Sequence, residues 1–214
     1  MARPRKDQAL DVPTRAVAAA LHLLKTHAAT DVSLTMVAEA VGCRPPALYG
    51  HFHNRAALLH AVHDAGFARL LTAQREAMAQ AGSDPRSRLR AASLTYLRFA
   101  RENPGLYRLM FDPPPRAPPD GAPVTRDPAR QALTVLREAL VAGQHAGIPP
   151  GADPDAAAIT LWSLLHGMAS LLVLDRVPAA HNRSTDTMIT QAVDLVVTRI
   201  GAAPPGLRPM ASRS

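Results

Sequence analysis

Apolar residues in this chain recur three and four positions apart and almost nowhere alternate. Leu34, Val37, Ala38 and Val41 stand at i, i+3, i+4 and i+7. Leu58, Leu59, Val62, Phe67, Leu70 and Leu71 keep the same rhythm, as do Leu89, Ala92, Tyr96 and Phe99. That spacing lines one face of a helix, whereas a half-buried strand needs a period of two. Val, Ile and Thr form no alternating runs, and aromatics are only 4% of the chain, which leaves little material for a β-sandwich or barrel. Hydrophobic residues at 47% suffice for a packed core. The expected fold class is all-α.

Punctuation residues divide this pattern. Pro13 suits a first helical turn, and Val17, Ala20, Leu21, Leu24 and Ala28 then share a face. Ser33 is placed to cap a second helix, and Gly42 to end it. Pro45 and Pro46 open a third, short helix through Phe52. Asn54 is a cap for a long fourth helix over 55–80, and Gly82-Ser83-Asp84-Pro85 separates it from a fifth over 86–101. Asn103-Pro104-Gly105 precedes a short apolar piece, 106–111. Prolines at 113, 114, 115, 118, 119 and 123 make 112–127 a mobile surface loop in expectation. Further helices are expected over 128–146, 154–174 and 185–200. The basic arm 1–10 and the Pro-rich tail 201–214 are expected to lack fixed structure.

Charge and cysteine content narrow the function classes. Lys and Arg number 24 against 17 Asp and Glu, a formal +7, and Lys6 and Lys25 are the only lysines. A basic balance suits a nucleic-acid or acidic partner without singling one out. Cys43 stands alone, so no disulfide can form within the chain, and a reducing, cytoplasmic setting is expected. Arg3, Arg5 and Lys6 ahead of Ala16–Leu24 have the layout of a secretory leader, but Asp7, Asp11 and Pro13 interrupt it and His22 lies inside it. Residues 156–174 carry no charge and are long enough to span a bilayer. Thr160, Ser163, His166 and Ser170 within them favour a buried central helix, so no membrane partner is expected. No nucleophile–base pair, phosphate-binding glycine loop or complete metal set is present, so neither enzyme activity nor a cofactor is expected. His51, His53, His60 and His63 are close in sequence, but no carboxylate or cysteine completes a metal shell with them.

The element that carries chemistry is the pair of short helices around Gly42. Ala38 is small where the two must cross, Gly42 supplies the turn, and Leu48 points back into the shared core. This is a helix-turn-helix candidate, and a plain helical hairpin fits the same spacing.

The flanking residues go further. Val37-Ala38-Glu39-Ala40-Val41-Gly42, then Ala47-Leu48-Tyr49-Gly50-His51-Phe52, Arg55 and Leu58-Leu59 resemble the TetR/AcrR family of transcriptional regulators. Trp162, His166 and Gly167, with the segment 103–111, resemble the ligand domain of that family's Trp-His-Gly subgroup. The resemblance implies a helix-turn-helix DNA-binding domain over 11–54 and a helical ligand-binding and dimerisation domain over 55–200. It implies phosphate contacts from Tyr49, His51 and Arg55, the last replacing the family's usual lysine. Base-edge contacts would come from Thr35, Arg44, Pro45, Pro46 and Ala47, of which only Arg44 can read guanine bidentately. Pro46 and Gly50 depart from the family's usual pattern. Tyr96, Phe99, Tyr107, Met110, Phe111, Trp162 and His166 are candidate linings of a ligand pocket. His166 is equally readable as a buried core histidine.

The implied partners are a double-stranded DNA operator, a small-molecule effector and a second copy of the chain. Small residues at 156, 160, 163, 167 and 170 form one stripe, with Ile159, Trp162, His166 and Ala169 beside it, one facing a partner and the other the interior. Met188, Ile189, Ala192, Val193, Val196 and Ile200 form a face of the last helix. The leading expectation is a repressor that binds a palindromic operator as a dimer and is released by a small, largely apolar ligand. The alternatives are an activator or a regulator without an inducer, and a helical interaction module that never meets DNA.

Overall fold

A computed structural model describes residues 12–113, 128–145, 153–177 and 184–200. The expected arm, tail and most of the Pro-rich segment lie outside them. Every regular element among the described residues is a helix: α1 (Val12–Leu23), α2 (Leu34–Val41), α3 (Pro45–Tyr49), α4 (Arg55–Gln80), α5 (Pro85–Glu102), α6 (Pro104–Phe111), α7 (Pro128–His145), α8 (Pro154–Val173) and α9 (Thr185–Ile200).

Local capping chemistry sets the boundaries. The Ser33 hydroxyl accepts from the Met36 N–H at 3.1 Å, and Gly42 ends α2 at φ 73°, a conformation that glycine adopts at no steric cost. Asn54 Oδ1 accepts from Ala57 N–H at 2.8 Å, and Asp84 Oδ2 from Ser87 N–H at 2.9 Å. Prolines stand in the first turns of α3, α5, α6 and α8. Three expected boundaries move; the break read at Asn103-Pro104-Gly105 holds the first turn of α6, which starts at Pro104. The first helix stops at Leu23 rather than reaching Ala28: the Lys25 and Thr26 N–H groups turn back to the His22 and Leu23 carbonyls, three residues earlier, in a tightened last turn. The third stops at Tyr49, and the N–H of Phe52 folds back to the Leu48 carbonyl at 2.8 Å.

Helices α1–α3 pack around Ala16, Ala20, Val37, Ala38 and Leu48, all fully buried, with the N-terminal part of α4 as their base. In the larger domain, α5 is central and touches α4, α6, α7, α8 and α9. Two glycines allow close approach in the core around α6. A Cβ on Gly66 would stand 2.9 Å from side-chain atoms of Leu106 and Met110. On Gly105 it would stand 2.3 Å from the Leu24 backbone oxygen. So α6 is pressed on the main chain at the end of α1. The rim carries ion pairs: Arg90 holds Asp194 with two N–H donors, and Arg101 meets Asp186 at 2.8 Å.

Helix α8 is long and apolar enough to cross a membrane. It is not the buried central helix expected from the sequence. Ala158, Leu161, Leu165, Ala169 and Val173 are buried, while Ile159, Leu164 and Leu171 are about half exposed. The small-residue stripe lies on this outer side, exposed except for half-buried Ser170, and Gly167 opens to empty space. Trp162, His166 and Ala169 turn inward as one stripe, and Ile159 leaves it.

Candidate nucleic-acid interface and ligand chamber

Most of the residues expected to meet DNA are exposed on the hairpin. Thr35 is exposed in the first turn of α2. Arg44 is exposed at the extended N-cap of α3, and Pro46 and Ala47 are exposed in the helix, with Pro45 half-buried. Tyr49 keeps 55% of its surface accessible, while its neighbour Leu48 keeps none. A tyrosine turned to solvent beside a fully buried leucine is a polar tip offered outward rather than a core residue. His51 is also exposed, whereas Phe52 is core.

Arg55 differs from the rest. It is half-buried, its Nε–H donates to the Val32 carbonyl at 2.7 Å, and Nη2 donates to the Ala29 carbonyl. The guanidinium thus ties the start of α4 to the segment between α1 and α2. A lysine lacks the planar fork that fixes both carbonyls in this geometry. Arg15 does the same for the end of α2, donating from Nη2 to the Val41 carbonyl at 2.6 Å. Both ties depend on chain folding between residues 23 or more apart, so the sequence carried no signal for them.

In the larger domain, a small chamber of about 20 Å³ lies between α4, α5, α7 and α8. Of the seven expected pocket residues, Tyr96 and Trp162 line it. Its wall otherwise includes Gln74, Ser93, Leu136 and Leu165. Gln74 and Ser93 were not singled out from the sequence. Both are buried polar residues in helices, and both are bonded: the Gln74 amide donates to the Ala92 carbonyl at 3.2 Å, and the Ser93 hydroxyl to the Leu89 carbonyl at 2.8 Å. No charged side chain lines the chamber.

Behind Tyr96 lies a polar knot in an aromatic setting. Tyr107 Oη is 2.7 Å from His166 Nδ1, and Tyr96 Oη is 3.0 Å from Tyr107 Oη. Burial holds His166 below the ordinary imidazole range, so its ring is neutral beside the Tyr107 hydroxyl. Burial likewise pushes Tyr107 up to about 12 and raises Tyr96 further, so both phenols keep their protons. Phe111 packs on His166 at 4.5 Å and on Phe67 at 5.5 Å between ring centroids, and Phe67 continues to His63 at 5.1 Å. Rings therefore run in contact from α4 to Trp162, which stands 5.9 Å from His166. Met110 packs at Gly66 and Phe99 is buried elsewhere; neither lines the chamber. Among the described residues, no group of three His, Cys, Asp or Glu side chains could hold a metal ion.

Two family models match successive parts of the chain. The family model for bacterial regulatory proteins of the tetR family matches residues 16–62. That for the tetracyclin repressor-like C-terminal domain matches residues 89–196. The chain belongs to the TetR family. It is a transcriptional regulator with a DNA-binding helix-turn-helix, not an enzyme. A Rhodococcus sp. RHA1 protein of unknown function superposes with a TM-score of 0.73 at 25% identity, over 89% of this chain and 96% of that one. A tetR-family regulatory protein from Rhodococcus RHA1 gives 0.62 at 22% identity, over 90% and 98%. A TetR/AcrR-family regulator from Thermobifida fusca gives 0.65 at 20%, over 92% and 99%. Among curated proteins, none matches the chain in sequence. TetR-family membership gives the exposed hairpin its chemical meaning and leaves the C-terminal domain to be read from its own residues.

Proposed function

We propose that this TetR-family chain is a cytoplasmic repressor that binds a palindromic operator as a homodimer and leaves it when a small, largely apolar ligand enters the effector domain. One observation carries the reading: α4 is both the base of the DNA-reading hairpin and a wall of the apolar chamber. A ligand that favours one placement of α4 shifts the population of DNA-competent dimers by its differential affinity. The close seat of Gly105 on the Leu24 carbonyl supports a second coupling between the two domains.

Tyr49 and His51 are assigned to phosphates, with Arg55 on the same rim while it braces the hairpin. Thr35, Arg44, Pro45, Pro46 and Ala47 are assigned to base edges. The exposed Ile159, Leu164, Leu171 and Leu174, with Leu195 on α9, support a dimer through the last two helices. Two-fold symmetry would then present α3 to half-sites one DNA turn apart, ~34–36 Å. The Tyr107–His166 bond joins the two segments that resemble the Trp-His-Gly subgroup, which supports placing the effector domain there.

The test is fluorescence anisotropy against duplexes tiling the chain's own upstream region at several salt concentrations. Six phosphate contacts predict a log–log salt slope near −5. Arg44→Ala should also relax sequence preference, by about 1–3 kcal/mol at one base pair. Weak, equal binding to cognate and scrambled duplexes would overturn the repressor reading.

A further inference from the structure

An open cleft of about 540 Å³ lies outside the chamber, between the end of α4, the start of α5 and α7. Met78, Val135 and Ala139 line both spaces, so they are the two sides of one thin apolar wall. The mouth of the cleft carries Arg75 and Arg88 against a single carboxylate, Glu138. Arg75 makes no hydrogen bond or ion pair among the described residues. Arg88 gives one long bond, 3.4 Å, to the Gly82 carbonyl. The mouth thus has guanidinium donors to spare, while the chamber behind the wall has no charge, and its Gln74 amide and Ser93 hydroxyl already donate to carbonyls.

We propose that cleft and chamber are one site for an amphiphile with a single anionic head and an unbranched aliphatic chain. The proposal rests on the effector reading above and names the chemistry of its ligand. Arg75 and Arg88 hold the head at the mouth, since an anion carried further in would lose water without meeting a positive charge. The chain passes Met78, Val135 and Ala139 toward Trp162. The chamber alone has room for about one water. Entry therefore displaces the wall, and Met78 is the member best able to yield, being unbranched and flexible. Parting the wall moves α7 away from α4, the helix that carries the reading hairpin.

Trp162 is the only tryptophan, so its emission reports the chamber directly. The full chain would be titrated with decanoate, decanol, decylammonium and acetate, each below its micelle concentration. Decanoate should shift the Trp162 emission saturably and bind about tenfold tighter than decanol or decylammonium, the increment expected of exposed charge-assisted bonds. Acetate should give no shift. The double variant Arg75→Gln/Arg88→Gln should lose the preference for decanoate and keep its decanol affinity, which also shows that it is folded. Ala139→Phe should weaken both ligands alike, with its thermal melt retained. Equal binding of decanoate and decanol, tighter binding of decylammonium, a preference that survives the double variant, or no emission change with any chain-bearing ligand overturns the proposal. Duplex anisotropy is measured in parallel. Decanoate binding without duplex release upholds the site and refutes its effector role. Absence of salt-dependent duplex binding refutes the repressor reading, while the tryptophan titration still decides the site.

Discussion

Replacing Gly105 by Ala should destabilise the chain even though alanine is the better helix former. Gly105 lies in the first turn of α6 without a positive φ, so the helix itself welcomes a side chain, by about 1 kcal/mol. The obstacle is tertiary. The added Cβ would meet the Leu24 oxygen at 2.3 Å and the His27 oxygen at 3.6 Å, both backbone atoms. An ordinary carbon–oxygen contact is about 3.3 Å or more. Helix α6 and the end of α1 must therefore separate by about 1 Å, and backbone cannot yield as a side chain does. Overpacking of this kind costs about 1–3 kcal/mol. Taking the upper part of that range against the helix gain leaves about 2 kcal/mol of destabilisation, a fall in Tm of about 4–8 °C for a chain of this size. Thermal unfolding of native and Gly105→Ala protein at one protomer concentration measures it. Gly66→Ala is the control, because its clashes are with the mobile ends of Leu106 and Met110, and its Tm should fall by less. A rise in Tm for Gly105→Ala would show that α6 does not sit on the α1 backbone, and the coupling drawn through that contact would go with it.

Further outcomes follow from other contacts. Arg55→Ala should lower stability by about 1–3 kcal/mol as well as weaken duplex binding, because the Val32 and Ala29 carbonyls lose their donor; an unchanged Tm would leave Arg55 a phosphate contact only. Since folding depresses the His166 pKa, the unfolded chain takes up a proton that the folded chain refuses. The stability contributed by the neutral ring is then complete above about pH 6.5 and falls as the pH drops below it. Melts between pH 7.5 and 5.5 should be steeper for the native chain than for His166→Gln, and equal slopes refute the assignment. Leu171→Glu, on the exposed side of α8, should convert the proposed dimer to monomer in sedimentation with little change in helix content; an unaltered dimer would place the interface elsewhere. Ser33→Ala should cost about 1 kcal/mol through loss of the Met36 cap, read by thermal melting.

Most helix starts were legible because capping is local. Ser33, Gly42, Asn54 and the prolines act on atoms within four residues, so their meaning does not wait for the fold. The outward side of the hairpin was legible for a similar reason: alternation of Leu48 and Tyr49 on a short helix leaves one of them outside. The rest depends on which helices meet. Gln74 and Ser93 look like ordinary polar residues until α7 and α8 close over them. Gly66 and Gly105 lie within helices, where a glycine is unfavourable and so hints at close approach, but nothing in the sequence says to what. The inner and outer sides of α8 were confounded because both are apolar, and hydropathy alone cannot tell a core face from one left open in the single chain.

The length of α4 has a mechanical consequence. Its 26 residues make a rod of about 39 Å, with Arg55 and the hairpin at one end and Gln74 and Met78 near the other. A tilt of about 5° pivoting at the chamber end carries the Arg55 end through about 3 Å, close to one nucleotide step along a DNA strand. On the proposed reading, a small tilt at the wall would thus shift the hairpin by about the spacing of successive nucleotides.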